Sequence, residues 1–319
     1  MQRAPYGLDT RASQGAYVGE AVRLWTAQPT MSLTDFAEAL LKTITARLTS
    51  AGVPRIRWKV GPGADADGTF DSKAWMIRVN TSSFSAGTPP PTTLGGLTKD
   101  EVTAVVGTLY HEARHADQDV LVIRDLLAKK KTVDQVVALT EMPVEVVRAV
   151  KARTYPAALD ADQRAHAGRM FDVMYGAHKQ FLQFLVKHSA AWAGLDRFAG
   201  GATVAETAPH VARLTAWQGR ELQPHLGRLS ALPKRTAMEA DLFQRLQTVD
   251  AALTTFRGEW RTVARGQQPD EAQLDAAREE AAAARDAILA TYKSLESEAD
   301  AFRVEAAVAA AFTAKLAKP

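Results

Sequence analysis

The sequence contains no cysteine in its 319 residues. Disulfides, thiolate nucleophiles, iron–sulfur clusters and sulfur-ligated zinc are therefore excluded. Any metal must be held by carboxylates and the seven histidines. Long apolar runs are missing too: nothing approaches the ~18 residues of a membrane-crossing helix, so no membrane span is expected. The opening Met1-Gln2-Arg3-Ala4-Pro5-Tyr6-Gly7 lacks the apolar stretch of a secretory signal. The expected location is the cytoplasm, or outside the cell by a signal-peptide-independent route. Excess charge is scarce as well. Lys and Arg number 39 against 36 Asp and Glu, a formal charge of +3, which does not call for a nucleic-acid partner.

Apolar material is present in quantity. Hydrophobic residues make up 46% of the chain, and a chain of this length buries about 75% of its unfolded surface. Residues 1–31 form an N-terminal segment with a short helix around Ala16–Trp25. Ser32 or Thr34 caps a helix on which Phe36, Leu40, Leu41, Ile44 and Leu48 recur at helical spacing. It ends near Ala51-Gly52. Two alternating segments then read as strands: Ile56, Trp58 and Val60, and Trp75, Ile77 and Val79. Gly61–Gly68 reads as a polar hairpin loop. Asp65 and Asp67 suggest a calcium loop, but Met76 stands where an EF-hand has its closing Glu. Thr98 with Glu101 forms a capping box for the next helix, and every later signal is helical. The expected fold is α+β and predominantly helical: a core over 32–130 with a short β-sheet, a helical insertion over 131–269, and a long, Ala-rich C-terminal helix over 270–319.

Chemistry concentrates in His111-Glu112-Ala113-Arg114-His115, an H-E-x-x-H sequence within the helix capped by Thr98. Four residues advance a helix by about 400°, so the imidazoles stand ~40° apart and can grip one Zn²⁺. Glu112 lies beside them to activate water. Val102, Val106, Leu109, Ala113 and Ala116 form the opposite, core-facing side. Ala104, Gly107 and Thr108 fall on the His side, where small residues leave room for substrate. The competing reading is an amphipathic helix whose His and Glu are merely polar. A catalytic zinc needs a third protein ligand. The six-residue spacing to a third His fails, because Leu121 occupies that place. A Glu from a separate helix is the other option, and Tyr292–Phe302 supplies Glu296 and Glu298.

HEARH followed by E-S-E-A-D-A-F resembles the gluzincin class of zinc metallopeptidases, with their HExxH and downstream E-x-x-A-D. The resemblance covers these two short stretches and a plausible strand pair before them. It implies a zincin-like core and a peptidase with one Zn²⁺ per chain, held by His111, His115 and Glu296, with Glu112 as general base. It implies further that Asp300 orients a ligating His. The long interval before Glu296 departs from a compact member of the class and requires a large helical insertion, or else Glu296 is not the ligand, with Glu298 the nearest substitute. Glu298 points about 160° away from Glu296 around one helix, so both cannot face one metal.

By the same comparison, Trp75–Asn80 is a substrate-binding edge strand involving Trp75 and Ile77, or else an ordinary half-buried strand. Tyr292 and Arg303 are placed to stabilise an oxyanion, or else they pack structurally. The expected partner is a peptide or protein substrate. Two other functions stay open: a peptidase toxin or effector delivered by a bacterial secretion or contractile injection system, and a non-catalytic helical interaction protein with a fortuitous HExxH.

Overall fold

A computed structural model describes residues 6–63, 67–85, 91–155, 157–187, 189–265 and 270–317. Asp65 of the candidate calcium loop lies outside them. The protein is α+β and predominantly helical, with one three-stranded mixed sheet among the described residues.

Two compact units divide the chain: residues 1–171 with 299–319, and residues 172–298. These divisions differ from the expected ones at 130 and 269, because the helices following residue 131 pack into the first unit's core.

In the first unit, α1 (Arg11–Ala27) is followed by α2 (Leu33–Ala51). The Ser32 hydroxyl accepts from the Asp35 amide at the α2 N-terminus, and Gly52, at φ 99°, ends the helix in a left-handed cap. Phe36, Leu40, Leu41, Ile44 and Leu48 are all buried, so the 3.6-residue period marked the core face correctly. The strands are β1 (Arg57–Gly61), β2 (Gly68–Asp71) and β3 (Met76–Asn80), in the order β1-β3-β2. β3 runs parallel to β1 and antiparallel to β2. The hairpin therefore joins β2 to β3, and the sequence reading passed over β2. Gly68-Thr69-Phe70-Asp71 is too short and polar to show an alternation against the turn residues before it.

α3 (Lys99–Ala128) begins at Thr98 with both bonds of the capping box present. Val102, Val106, Leu109, Ala113 and Ala116 are fully buried, as their spacing predicts. α4 (Val133–Thr140), α5 (Val144–Ala152) and α6 (Ala161–Met174) follow.

The second unit contains α7 (Lys179–Lys187), α8 (Ser189–Ala199), α9 (Val204–Trp217), α10 (Gln223–Ser230), α11 (Ala237–Arg265) and α12 (Glu271–Ser294). Its core includes Phe184 stacked on Trp217 with ring centroids 3.6 Å apart. Ala277, Ala281, Ala284 and Ile288 recur along one face of α12 and are fully buried. The Ala-rich run thus supplies a small-residue face that allows close helix packing, in addition to helix propensity.

The expected single C-terminal helix is two. Leu295 leaves the helical conformation at ψ 138°, and α13 (Glu296–Leu316) starts afresh behind it. No described helix is long and apolar enough to cross a membrane.

Candidate metal centre

α3 and α13 bring the candidate residues together, and the phase of α13 decides which ones. Its buried stripe is Ala301, Val304, Val308 and Phe312, all fully inaccessible. Ala299 and Ala306, off that stripe, are exposed. At about 100° per residue, Glu298, Phe302 and Glu305 fall on one flank of the stripe, and Asp300 falls on the other.

Three ligand atoms, one each from His111, His115 and Glu298, lie within 4.8 Å of one another. Glu298 therefore takes the place expected for Glu296, which is turned far round the helix from it. The sequence held a signal for this: Val304, Val308 and Phe312 are the bulkiest apolar residues of the last helix, and their i, i+4, i+8 spacing marks its core face. The break at Leu295 and the surrounding alanines obscured it.

The two imidazoles sit 4.9 Å apart, centroid to centroid, at 78°. Each is oriented through Nδ1. The Nδ1 of His111 is 2.8 Å from Glu305 Oε2, and Phe302 meets the same ring edge-on at 4.6 Å. A carboxylate only accepts, so Nδ1 carries the hydrogen and the neutral form of His111 keeps its lone pair on Nε2. The Nδ1 of His115 is 2.9 Å from Gln118 Oε1, while Gln118 Nε2 donates to Asp300 Oδ2 over 3.0 Å. Asp300 fixes which end of the amide faces His115, so that ring too presents its Nε2 lone pair. Asp300 thus supports a candidate ligand, as the resemblance implies, but through Gln118. Glu305 and Gln118 were missed because each is recognisable only once α3 and α13 are packed together.

Zinc bonds of about 2.0–2.2 Å would bring tetrahedral ligand atoms to about 3.4 Å of one another. The observed limit of 4.8 Å is wider than that spacing. Two imidazole nitrogens and a carboxylate suit zinc well and leave a fourth position open.

Glu112 is buried at 8% exposure and lies against β2. A Cβ added to Gly68 would come within 2.8 Å of both Glu112 Cγ and Thr108 Cγ2. A Cβ added to Gly107 would stand 3.0 Å from Glu305 Cγ. The small residues on the His side therefore admit β2 and Glu305 rather than holding open a substrate space.

The other candidate residues are placed differently from expectation. β3 is the central strand, Ile77 is fully buried, and Trp75 is 4% exposed with its indole donating to the Pro54 carbonyl. Neither is available to a substrate, and the edge strand beside Glu112 is β2. Tyr292 packs against the core of the second unit. Arg303 bonds Asp9 and Asp300, which raises its pKa and commits its guanidinium to a structural role.

Beneath the candidate ligands runs a buried charge network. Arg114 is fully buried. It donates to Asp300 (2.9 Å), Asp117 (2.6 Å) and the Tyr6 carbonyl (3.0 Å), and its guanidinium lies 4.0 Å from the Tyr6 ring centroid. Burial works against its charge, but Tyr6 and the two carboxylates outweigh it, so the pKa rises. The Leu8 amide also donates to Asp117, at 3.0 Å. Gly7 permits that approach: its φ is 50°, and a Cβ there would be 2.1 Å from an Asp117 oxygen.

Comparison with family models, curated proteins and solved structures finds no match to this chain.

Proposed function

We propose that the protein is a zinc-dependent peptidase whose ion is held by His111, His115 and Glu298. The observation that carries this reading is the convergence of those three ligand atoms within 4.8 Å, with both Nδ1 atoms already engaged. An accidental HExxH has no reason to meet a carboxylate from a distant helix while both rings are held in the ligating tautomer.

The ion would act as a Lewis acid towards water and the scissile carbonyl. The chain's own residues supply the remainder. Glu112, next to His111, takes a proton from the attacking water and passes it to the departing amine. Glu305 and the Asp300–Gln118 pair hold the imidazoles, which raises their basicity as ligands. A substrate peptide would lie along β2, the edge strand at Glu112, and add main-chain bonds there.

Substituting Glu112→Gln tests the reading. The purified variant should retain about one zinc per chain by elemental analysis. Its cleavage of a peptide library, read by mass spectrometry, should fall by about 10²–10⁴-fold. Wild-type protein that neither binds zinc stoichiometrically nor cleaves any peptide would overturn it.

A further inference from the structure

A second site lies in the first unit, at the end of α3 remote from Thr98, and it stands independently of the peptidase reading. The final turns of α3 and α5, together with the segment leading into α6, line an open cavity of about 610 Å³. That size suits a small-molecule ligand. Arg124, Lys130, Lys131, Lys151, Arg153 and Arg164 line it, and no Asp or Glu does.

The simplest explanation is that these cations offset helix dipoles, since α3 and α5 both end here. Two helix C-termini carry about half a negative charge each. They account for about one of the six cations, and no carboxylate lines the cavity beside the remainder, in a chain whose net charge is only +3. The three arginines use single donors on neutral carbonyls: Arg124 on Ala157, Arg153 on Ser50 and Arg164 on Leu159. Burial lowers the pKa of Arg124, with Tyr155 and Asp117 acting in the opposite direction and not outweighing it. The remaining guanidinium N–H groups suit tetrahedral oxyanions.

We infer that this cavity binds a compact, multiply phosphorylated small molecule. Its cations converge on one concavity, whereas a nucleic-acid site spreads them along a stripe that tracks a backbone. The one aromatic ring available, Tyr155, already has Arg124 over its face at 3.9 Å, so it offers a base no stacking platform. The phosphate groups should therefore supply nearly all of the affinity.

Isothermal titration of the full chain tests this, using magnesium salts of tripolyphosphate, inositol hexakisphosphate and ATP in 150 mM NaCl. At least one of the first two should bind one per chain, and ATP should bind no more tightly than tripolyphosphate. The exposed pair Lys131→Gln/Lys151→Gln should weaken binding by about tenfold or more, with the unliganded Tm unchanged. The control pair Lys59→Gln/Arg78→Gln, on the sheet, should leave it alone. Hydrogen exchange on the wild-type chain gives a readout free of variants: amides of 157–164 should slow when the polyphosphate that binds in the titration is added. Lack of saturable binding by either polyphosphate, tighter binding of ATP than of tripolyphosphate, equal weakening by the control pair, or unchanged exchange would each overturn the inference.

Discussion

Single side chains decide the candidate metal centre, and Glu298 is the one on which a decision can be forced. Zinc content should fall steeply in Glu298→Ala and stay near wild type in Glu296→Ala, measured by elemental analysis after dialysis against a weak chelator. Loss of zinc only in the Glu296 variant would contradict the phase of α13. His111, Glu112 and His115 were legible because four-residue spacing on a helix fixes their relation whatever the rest of the chain does. Glu298 was not, because its position depends on where α13 begins, and Leu295 resets that start. Glu305 and Gln118 carry no local signature at all. They become recognisable only by lying 2.8 Å and 2.9 Å from the Nδ1 atoms they hold.

Among the elements, α2 and α3 were read closely because caps and apolar period agree in both. The sheet was read less well. Alternation found β1 and β3, but strand order depends on pairing between segments, which one-dimensional periodicity does not encode. That order matters chemically, since it replaces Trp75 and Ile77 with β2 as the strand beside Glu112. Packing of α13 on α3 depends on Gly107, against which Glu305 lies so closely that a Cβ would stand 3.0 Å from its Cγ. Gly107→Ala should push Glu305 away from His111 and weaken zinc binding by about tenfold. The far-UV circular dichroism should be retained, because alanine favours the helix. Zinc affinity equal to wild type would show that Glu305 does not support the ligand.

For the molecule as a whole, one pH response comes from the second unit. His225 is buried at 6% exposure, with His178 3.2 Å away on one side and Arg228 3.0 Å away on the other. Burial first, then His178 and Arg228, push its pKa down to about 4 from 6.5. His178 is lowered as well, again chiefly by burial, with Glu239 and Asp172 acting in the opposite direction. The unfolded chain takes up the His225 proton near pH 6.5, while the folded chain resists until about pH 4. Stability is therefore full above pH 6.5 and declines as pH falls through that window. Thermal melts from pH 7 to 4 should show a falling Tm, and His225→Gln should make the decline shallower. An unchanged slope in the variant would assign the acid sensitivity elsewhere.

Arg114 changes what HExxH means in this chain. Its two middle positions are ordinarily free to vary, but here Ala113 is fully buried and Arg114 is tied to Asp117 and Asp300. Removing the guanidinium alone leaves Asp117 buried without the cation that bonds it, and leaves Asp300 with Arg303, at a cost of about 3–5 kcal/mol. In a randomised library selected for folding, replacements of Arg114 should survive only when Asp117 loses its charge in the same clone. Selection should therefore treat positions 114 and 117, one helical turn apart, as a single heritable unit.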